Sequence, residues 1–248
     1  MKSSFSLVVL LSLFVAPLHA CGSKTVSVAK PPASSQKKVR ILLVGDSTVT
    51  DKAGWGHGFK SLAGKNVQCF NYAKGGRSSK SYRDEGLWKK ALKTKADYVL
   101  FQFGHNDQAG KGPKRETDPK TTYRENMARY VDEARAAGMK PILVTSLTRR
   151  RFVDGKIQCS LTEYVNTVRE LAKEKKVPLV ELYERSIEQA NRLGPKGCEK
   201  MEPKKNGKLD HTHLNRQGSK IVAELVVEEL RKAAPELAPY FPSKESRP

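Results

Sequence analysis

Apolar positions along this chain fall into two alternating patterns. Val39 to Val44 is a continuous apolar run, and Val67 to Tyr72, Ala96 to Phe103, Pro141 to Thr145 and Val177 to Leu182 repeat that character. Runs of this length predict strands buried on both faces, the condition of a parallel sheet. Between them the apolar spacing becomes helical. Gly56 to Leu62 predicts a short helix and Tyr82 to Lys93 a longer one. Thr121 to Ala137 carries Tyr123, Met127, Tyr130, Val131 and Ala134 on one face and stops at Gly138. Leu161 to Lys175 places Tyr164, Val165, Val168, Leu171 and Ala172 together. A further helix is expected after the fifth strand, to about Leu193, and Gln217 to Ala234 has a stripe of Ile221, Val222, Leu225, Val226 and Leu230. Strands alternating with helices predict an α/β fold, a three-layer, doubly wound, five-stranded parallel sheet. Ligands of such sheets sit beyond the carboxyl ends of the strands. Ser47, Gly76 and Asn106 all follow predicted strand ends.

The N-terminus breaks this pattern. Lys2 precedes an apolar run from Phe5 to Pro17 that ends at Leu18-His19-Ala20-Cys21. A basic start, a short apolar core and a small residue before the cut describe an export signal over residues 1–21. The run is shorter than the roughly 20 apolar residues that span a bilayer. Two readings of Cys21 stand side by side: a bacterial lipoprotein signal, in which this cysteine carries the lipid anchor, and ordinary cleavage after Ala20. Residues 22–38, rich in Ser, Lys and Pro, predict a flexible tether, and residues 39–248 a single catalytic-size domain. An exported protein is expected. Of the four cysteines, Cys69 reads as a buried thiol, and Cys159 and Cys198, in loop-like surroundings, suit a disulfide. No metal-ligand spacing is present, so no metal is expected.

The net charge is +20, which favours acidic partners: nucleic acid, anionic lipid headgroups or acidic polysaccharides. Export argues against nucleic acid. The charge is also dispersed, in Lys37-Lys38, Lys89-Lys90, Arg149-Arg150-Arg151, Lys173 to Lys176 and Lys204-Lys205, so a solvated basic surface accounts for it equally well.

The chemistry concentrates at two ends. Gly45-Asp46-Ser47-Thr48 closes the first strand, and Asp210-His211-Thr212-His213 precedes the last helix. Taken alone, Ser47 reads as a helix N-cap. A serine becomes a nucleophile when a base takes its proton, and a carboxylate on the far ring nitrogen holds that base in the right tautomer. Asp210 and His213, three residues apart, can meet across one helical-type turn, with Nε2 left for Ser47. The Ser47 and Gly76 backbone N–H groups and the Asn106 side-chain amide are candidate donors for a developing oxyanion. His211 lies close enough that spacing alone leaves the choice of base open.

Gly45-Asp46-Ser47, Gly76, Gly104-His105-Asn106-Asp107 and Asp210-x-x-His213 resemble, in order, the four blocks of the SGNH (GDSL-like) hydrolase superfamily. Trp55-Gly56, Asn71-Tyr72-Ala73, Gly76-Arg77-Ser78-Ser79 and Gln102-Phe103 narrow the resemblance to rhamnogalacturonan acetylesterases, over roughly residues 39 to 235. The resemblance implies a flavodoxin-like SGNH hydrolase fold. It also implies Ser47 as nucleophile, Asp210 and His213 as the rest of a triad, and Ser47, Gly76 and Asn106 as the oxyanion hole. The family's spacing favours His213 as base. An acetylated polysaccharide is the implied substrate, with rhamnogalacturonan of pectin first, and no cofactor is required. Trp55, Arg77 and Arg150 are candidates to contact substrate, the arginines through uronate carboxylates; a packed aromatic for Trp55 and structural salt bridges for the arginines are the alternatives. A monomer is expected, with membrane contact only through a lipid on Cys21. The rivals are esterases of xylan, algal glycans or lipids, and a glycan-binding surface protein without activity.

Overall fold

Five strands form one sheet in the order β2-β1-β3-β4-β7, and every neighbouring pair is parallel. The structure is a computed structural model that describes residues 37–242. The export signal, Cys21 and nearly all of the tether lie outside the described residues. In chain order the elements are β1 (Val39–Gly45), α1 (Gly56–Leu62), β2 (Val67–Asn71), α2 (Ser79–Asp84), α3 (Leu87–Leu92), β3 (Tyr98–Gln102), α4 (Thr122–Ala136), β4 (Lys140–Val144), β5 (Phe152–Val153), β6 (Lys156–Ile157), α5 (Thr162–Glu174), β7 (Leu179–Val180), α6 (Leu182–Glu199), β8 (Lys204–Lys205), β9 (Lys208–Leu209), α7 (Arg216–Ala233) and a closing 3-10 turn (Pro235–Tyr240).

The period-two alternation of β1 divides the core. Ile41 and Leu43 point to one face, where Trp55 and Phe59 of the α1 region and Val222, Val226 and Leu230 of α7 cover them. Leu42 and Val44 point to the other, under Tyr82, Trp88, Tyr130 and Leu171 from α2 to α5. Residues of both faces of β1 are fully buried, which explains why this strand reads as an unbroken apolar run.

Three expectations from the sequence change. The helix expected over Tyr82 to Lys93 is two helices, because Gly86 adopts φ +69°, a left-handed conformation that breaks the ladder between α2 and α3. The fifth strand is two residues long, at the sheet edge. Two antiparallel hairpins, β5–β6 and β8–β9, went unpredicted. Their turns are Asp154-Gly155 and Asn206-Gly207, all at positive φ, the residue pairs that two-residue hairpin turns demand. Among the described residues, no helix is long and apolar enough to cross a membrane.

Candidate active site

The strand ends bring four loops to one edge of the sheet. After β1 the chain turns tightly, with Val49 N–H donating to Asp46 O and Thr50 N–H to Ser47 O. Below Ser47 the Asp46 carboxylate is fully buried and accepts from the Thr48 amide (2.8 Å) and hydroxyl (2.7 Å). Burial alone would raise this carboxyl. The neighbouring His105 ring and the Thr48 donors outweigh it and hold Asp46 below the usual carboxylate range. His105 is itself buried, and its desolvation lowers its pKa despite Asp46 at 3.5 Å.

His213 lies 2.8 Å from Ser47 Oγ through Nε2 and 2.6 Å from Asp210 Oδ2 through Nδ1. The other Asp210 oxygen accepts from the Thr212 and His213 amides, at 3.0 and 3.1 Å. Partial burial raises the Asp210 carboxyl, but the bond to His213 and these two amides prevail, so it lies below its ordinary value. His211, the other imidazole left open by the spacing, turns away: its Nδ1 is 2.9 Å from Glu202 Oε2. The β8–β9 hairpin brings the chain back so that the Asp210 amide reaches Pro203 O at 2.9 Å, and Asn215 caps α7 through Gly218 N–H (2.9 Å). Asp210 and His213 are thus held between a hairpin and a capped helix.

The oxyanion candidates converge on the same edge. Gly76 has φ +76°, and a Cβ built on Gly75 would stand 3.6 Å from the Ser47 Cβ, so this turn lies against Ser47. The amides of Ser47 and Gly76 make no hydrogen bond to other described residues. The Asn106 amide donates to Arg77 O at 3.2 Å, which places its nitrogen beside the turn with a second hydrogen to spare. Asp107 fastens the two loops together. Its carboxyl accepts from Ser79 N–H (3.0 Å), Ser79 Oγ (2.6 Å), Gly104 N–H (3.0 Å) and Thr117 Oγ1 (3.0 Å). Full burial nevertheless pushes its pKa up to about 7.

The expected substrate contacts are rearranged. Trp55 is fully buried and donates through Nε1 to Gln102 Oε1 (2.9 Å); Gln102 donates in turn to Thr48 Oγ1 (2.6 Å). Trp55 is held in the core against Gln102 and Phe59 and cannot line a cleft. Arg150 is also buried, bonded through Nε to Glu202 Oε1 at 2.8 Å and through Nη2 to His213 O at 2.5 Å. Its Nε and Nη2 are held inside the protein, because a guanidinium taken out of water needs an internal partner, while its Nη1 is buried with no hydrogen-bond partner among the described residues. Arg77 stays partly exposed, with Nε on Glu85 (2.9 Å) and Nη1 on Gly75 O (2.9 Å), and so braces the glycine turn. Cys159 and Cys198 are free thiols, not a disulfide; Cys159 is exposed and Cys198 is buried. Cys69, expected to be buried, is partly so, and desolvation pushes its thiol up to about 12. Among the described residues no group of three or more His, Cys, Asp or Glu is placed to hold a metal ion.

Sequence reading missed Gln102, Thr48 and Glu202 as supports. Only the Asn206-Gly207 hairpin signal pointed toward the placement of Glu202 and Asp210, since it closes the chain between them. A cleft of about 680 Å³ adjoins the Asn106 loop, lined by Gln108, Thr117, Ser160 and Tyr164 among others.

The chain is similar to known proteins. The profile of the GDSL-like Lipase/Acylhydrolase family matches residues 41–226. Rhamnogalacturonan acetylesterase RhgT of Bacillus subtilis (strain 168) is 34% identical over 231 residues, covering 86% of this chain and 98% of that protein. The probable rhamnogalacturonan acetylesterase YesY of the same strain is 32% identical over 200 residues, 77% of this chain and 92% of that one. The crystal structure of YxiM from Bacillus subtilis superimposes with a TM-score of 0.69 at 27% identity. That match takes in 79% of this chain and 57% of YxiM.

Proposed function

This chain belongs to the GDSL-like lipase/acylhydrolase family and is a carboxylic-ester hydrolase, and from that premise we propose that it removes acetyl groups from an acidic plant polysaccharide, rhamnogalacturonan first, through a Ser-His-Asp acyl-enzyme. The observation that carries the reading is the unbroken contact from Ser47 Oγ through the His213 ring to Asp210. Ser47 Oγ attacks the acetyl carbonyl while His213 Nε2 takes its proton. Asp210 fixes the tautomer and stabilises the imidazolium. The carbonyl oxygen, now carrying the charge, is received by the Ser47 and Gly76 amides and the Asn106 side chain. The tetrahedral centre collapses, the sugar oxygen leaves with the proton from His213, and the acetyl group stays on Ser47 Oγ as an ester. Water then attacks the acyl-enzyme with His213 again as base, and acetate departs.

The preference for an acidic polymer has separate support. Lys111 is depressed by its own partial burial and by the nearby cations Arg149, Arg115 and Arg151. Four basic side chains thus gather near the Asn106 loop, beside the carboxylates Glu116, Asp118 and Glu163 of the adjoining cleft, and they are the groups that a uronate carboxylate would pair with. RhgT and YesY carry the same substrate in their names. We further propose that the chain is exported, where such polymers are met.

The test is acetate release across acetylated rhamnogalacturonan, homogalacturonan, xylan and a neutral small ester, with Ser47→Ala in parallel. Ser47→Ala is expected to lose turnover on all of them and to melt as the parent does. Undiminished turnover in that variant would refute the acyl-enzyme, and equal rates on xylan and pectin would refute the preference.

A further inference from the structure

Arg149 and Arg150 are neighbours in the loop after β4, a loop that carries none of the triad or oxyanion residues. Their side chains reach two different loops. Arg149 reaches the oxyanion loop. Its Nη1 donates to Gln108 Oε1 (2.7 Å) and Ser160 Oγ (3.1 Å), and its Nη2 to His105 O (3.3 Å), next to Asn106. Arg150 reaches the base loop. Its backbone N–H donates to His211 O (2.7 Å), its Nη2 to His213 O (2.5 Å), and its Nε pairs with Glu202, which also holds His211. Between Asp210 and Leu214 the backbone has few other outside anchors: Asp210 N–H on Pro203 O and Leu214 N–H on Ala53 O.

We propose that Arg149–Arg150 is a strut that sets the distance between the oxyanion loop and the base loop, Arg149 acting as a positioning residue for Asn106 and Arg150, with Glu202, as one for His213. The proposal rests on the acyl-transfer reading above. Both guanidiniums are nearly buried, at 9% and 3% exposure, so substrate cannot be their first partner. Each uses a geometry that a lysine cannot copy, because a planar fork addresses two acceptors at fixed angles. The β4 loop is anchored to the sheet, whereas the residues it grips lie on loops. Rate in acyl transfer is sensitive to placement, and a shift of about 1 Å can cost about 100-fold.

The experiment compares kcat and KM on p-nitrophenyl acetate, with thermal melting, for Arg149→Met and for the double variant Arg150→Met/Glu202→Met. The double variant removes both buried charges together, so no carboxylate is left without its cation. Both are expected to fold, to keep KM within about threefold and to lose about 100-fold in kcat. The losses should vanish in the right background. Arg149→Met should cost nothing further once Asn106 is alanine, and the double variant nothing further once His213 is alanine. Arg150→Lys, which keeps the charge against Glu202, should show an intermediate kcat and covers the case in which the double variant does not fold. A kcat within threefold of the parent in folded variants overturns the strut, as do losses that multiply in full in the Asn106→Ala and His213→Ala backgrounds. Persistent turnover in Ser47→Ala would instead overturn the acyl-transfer reading itself.

Discussion

Asp210→Asn isolates what the carboxylate does for His213. In the structure one Asp210 oxygen already accepts two main-chain N–H groups, from Thr212 and His213. The other faces His213 Nδ1 at 2.6 Å. An asparagine must keep its carbonyl oxygen toward the two amides, since turning its NH₂ there would oppose donors to donors. Its NH₂ then meets Nδ1, which can only accept. The ring proton is driven to Nε2, the atom 2.8 Å from Ser47 Oγ, and a protonated Nε2 cannot act as base. The variant also removes the charge that stabilises the imidazolium. Triads of this construction lose about 10⁴ in kcat on the same exchange, or about 5 kcal/mol at about 1.36 kcal/mol per decade. Because both main-chain bonds survive and the side chain is part-exposed, the melting temperature is expected to stay within a few degrees. Steady-state kinetics on p-nitrophenyl acetate, with circular dichroism as the fold control, measure both quantities. A folded Asp210→Asn enzyme with kcat within tenfold of the parent would refute the tautomer argument.

Three further outcomes follow from the geometry. Gly76→Ala puts a Cβ on a residue at φ +76° with nothing within 4 Å to clash, so backbone strain of about 1–2 kcal/mol is the whole cost; a turn that relaxes carries its N–H away, and kcat should fall about 100-fold, whereas an unchanged kcat would remove Gly76 from the oxyanion hole. Asp107, at about 7 in the folded protein, holds a proton that the unfolded chain releases near pH 4. The native state thus binds more protons across that window, and stability falls as pH rises through it, by at most about 1.4 kcal/mol per pH unit from this group. Urea unfolding at pH 5 and 7.5 should show a smaller drop for Asp107→Asn, and an equal drop would acquit this residue. Iodoacetamide should label Cys159 in the native protein, and Cys198 only after unfolding, since the first is exposed and burial pushes the second up to about 11; a mass spectrum showing the two joined would contradict the structure.

Much of the architecture was legible because it is written at short range. The apolar runs of β1 and β3 reveal their burial on both faces, and the stripe of α7 its packing side. Ser47, Gly76 and Asn106 were legible as neighbours because each follows a strand, and parallel strands deliver their ends to one edge. The break at Gly86 was not, because one glycine in a helical pattern does not disclose its φ. The same limit hid the substrate contacts: Arg77, Arg149, Arg150 and Arg151 all follow strand ends and differ little in sequence. Folding buries Arg150 against Glu202 and leaves Arg151 at the surface.

From its sequence alone this chain settles its central sheet, most of its helices and the types of residue at each strand end, since periodicity acts over a few neighbours. Tertiary structure decides which imidazole faces Ser47, that Trp55 is buried in the core, and that two adjacent arginines grip different loops. Those outcomes depend on partners tens to hundreds of residues away, and on the cost of burying a charge or donor unpaired, which only the assembled fold determines.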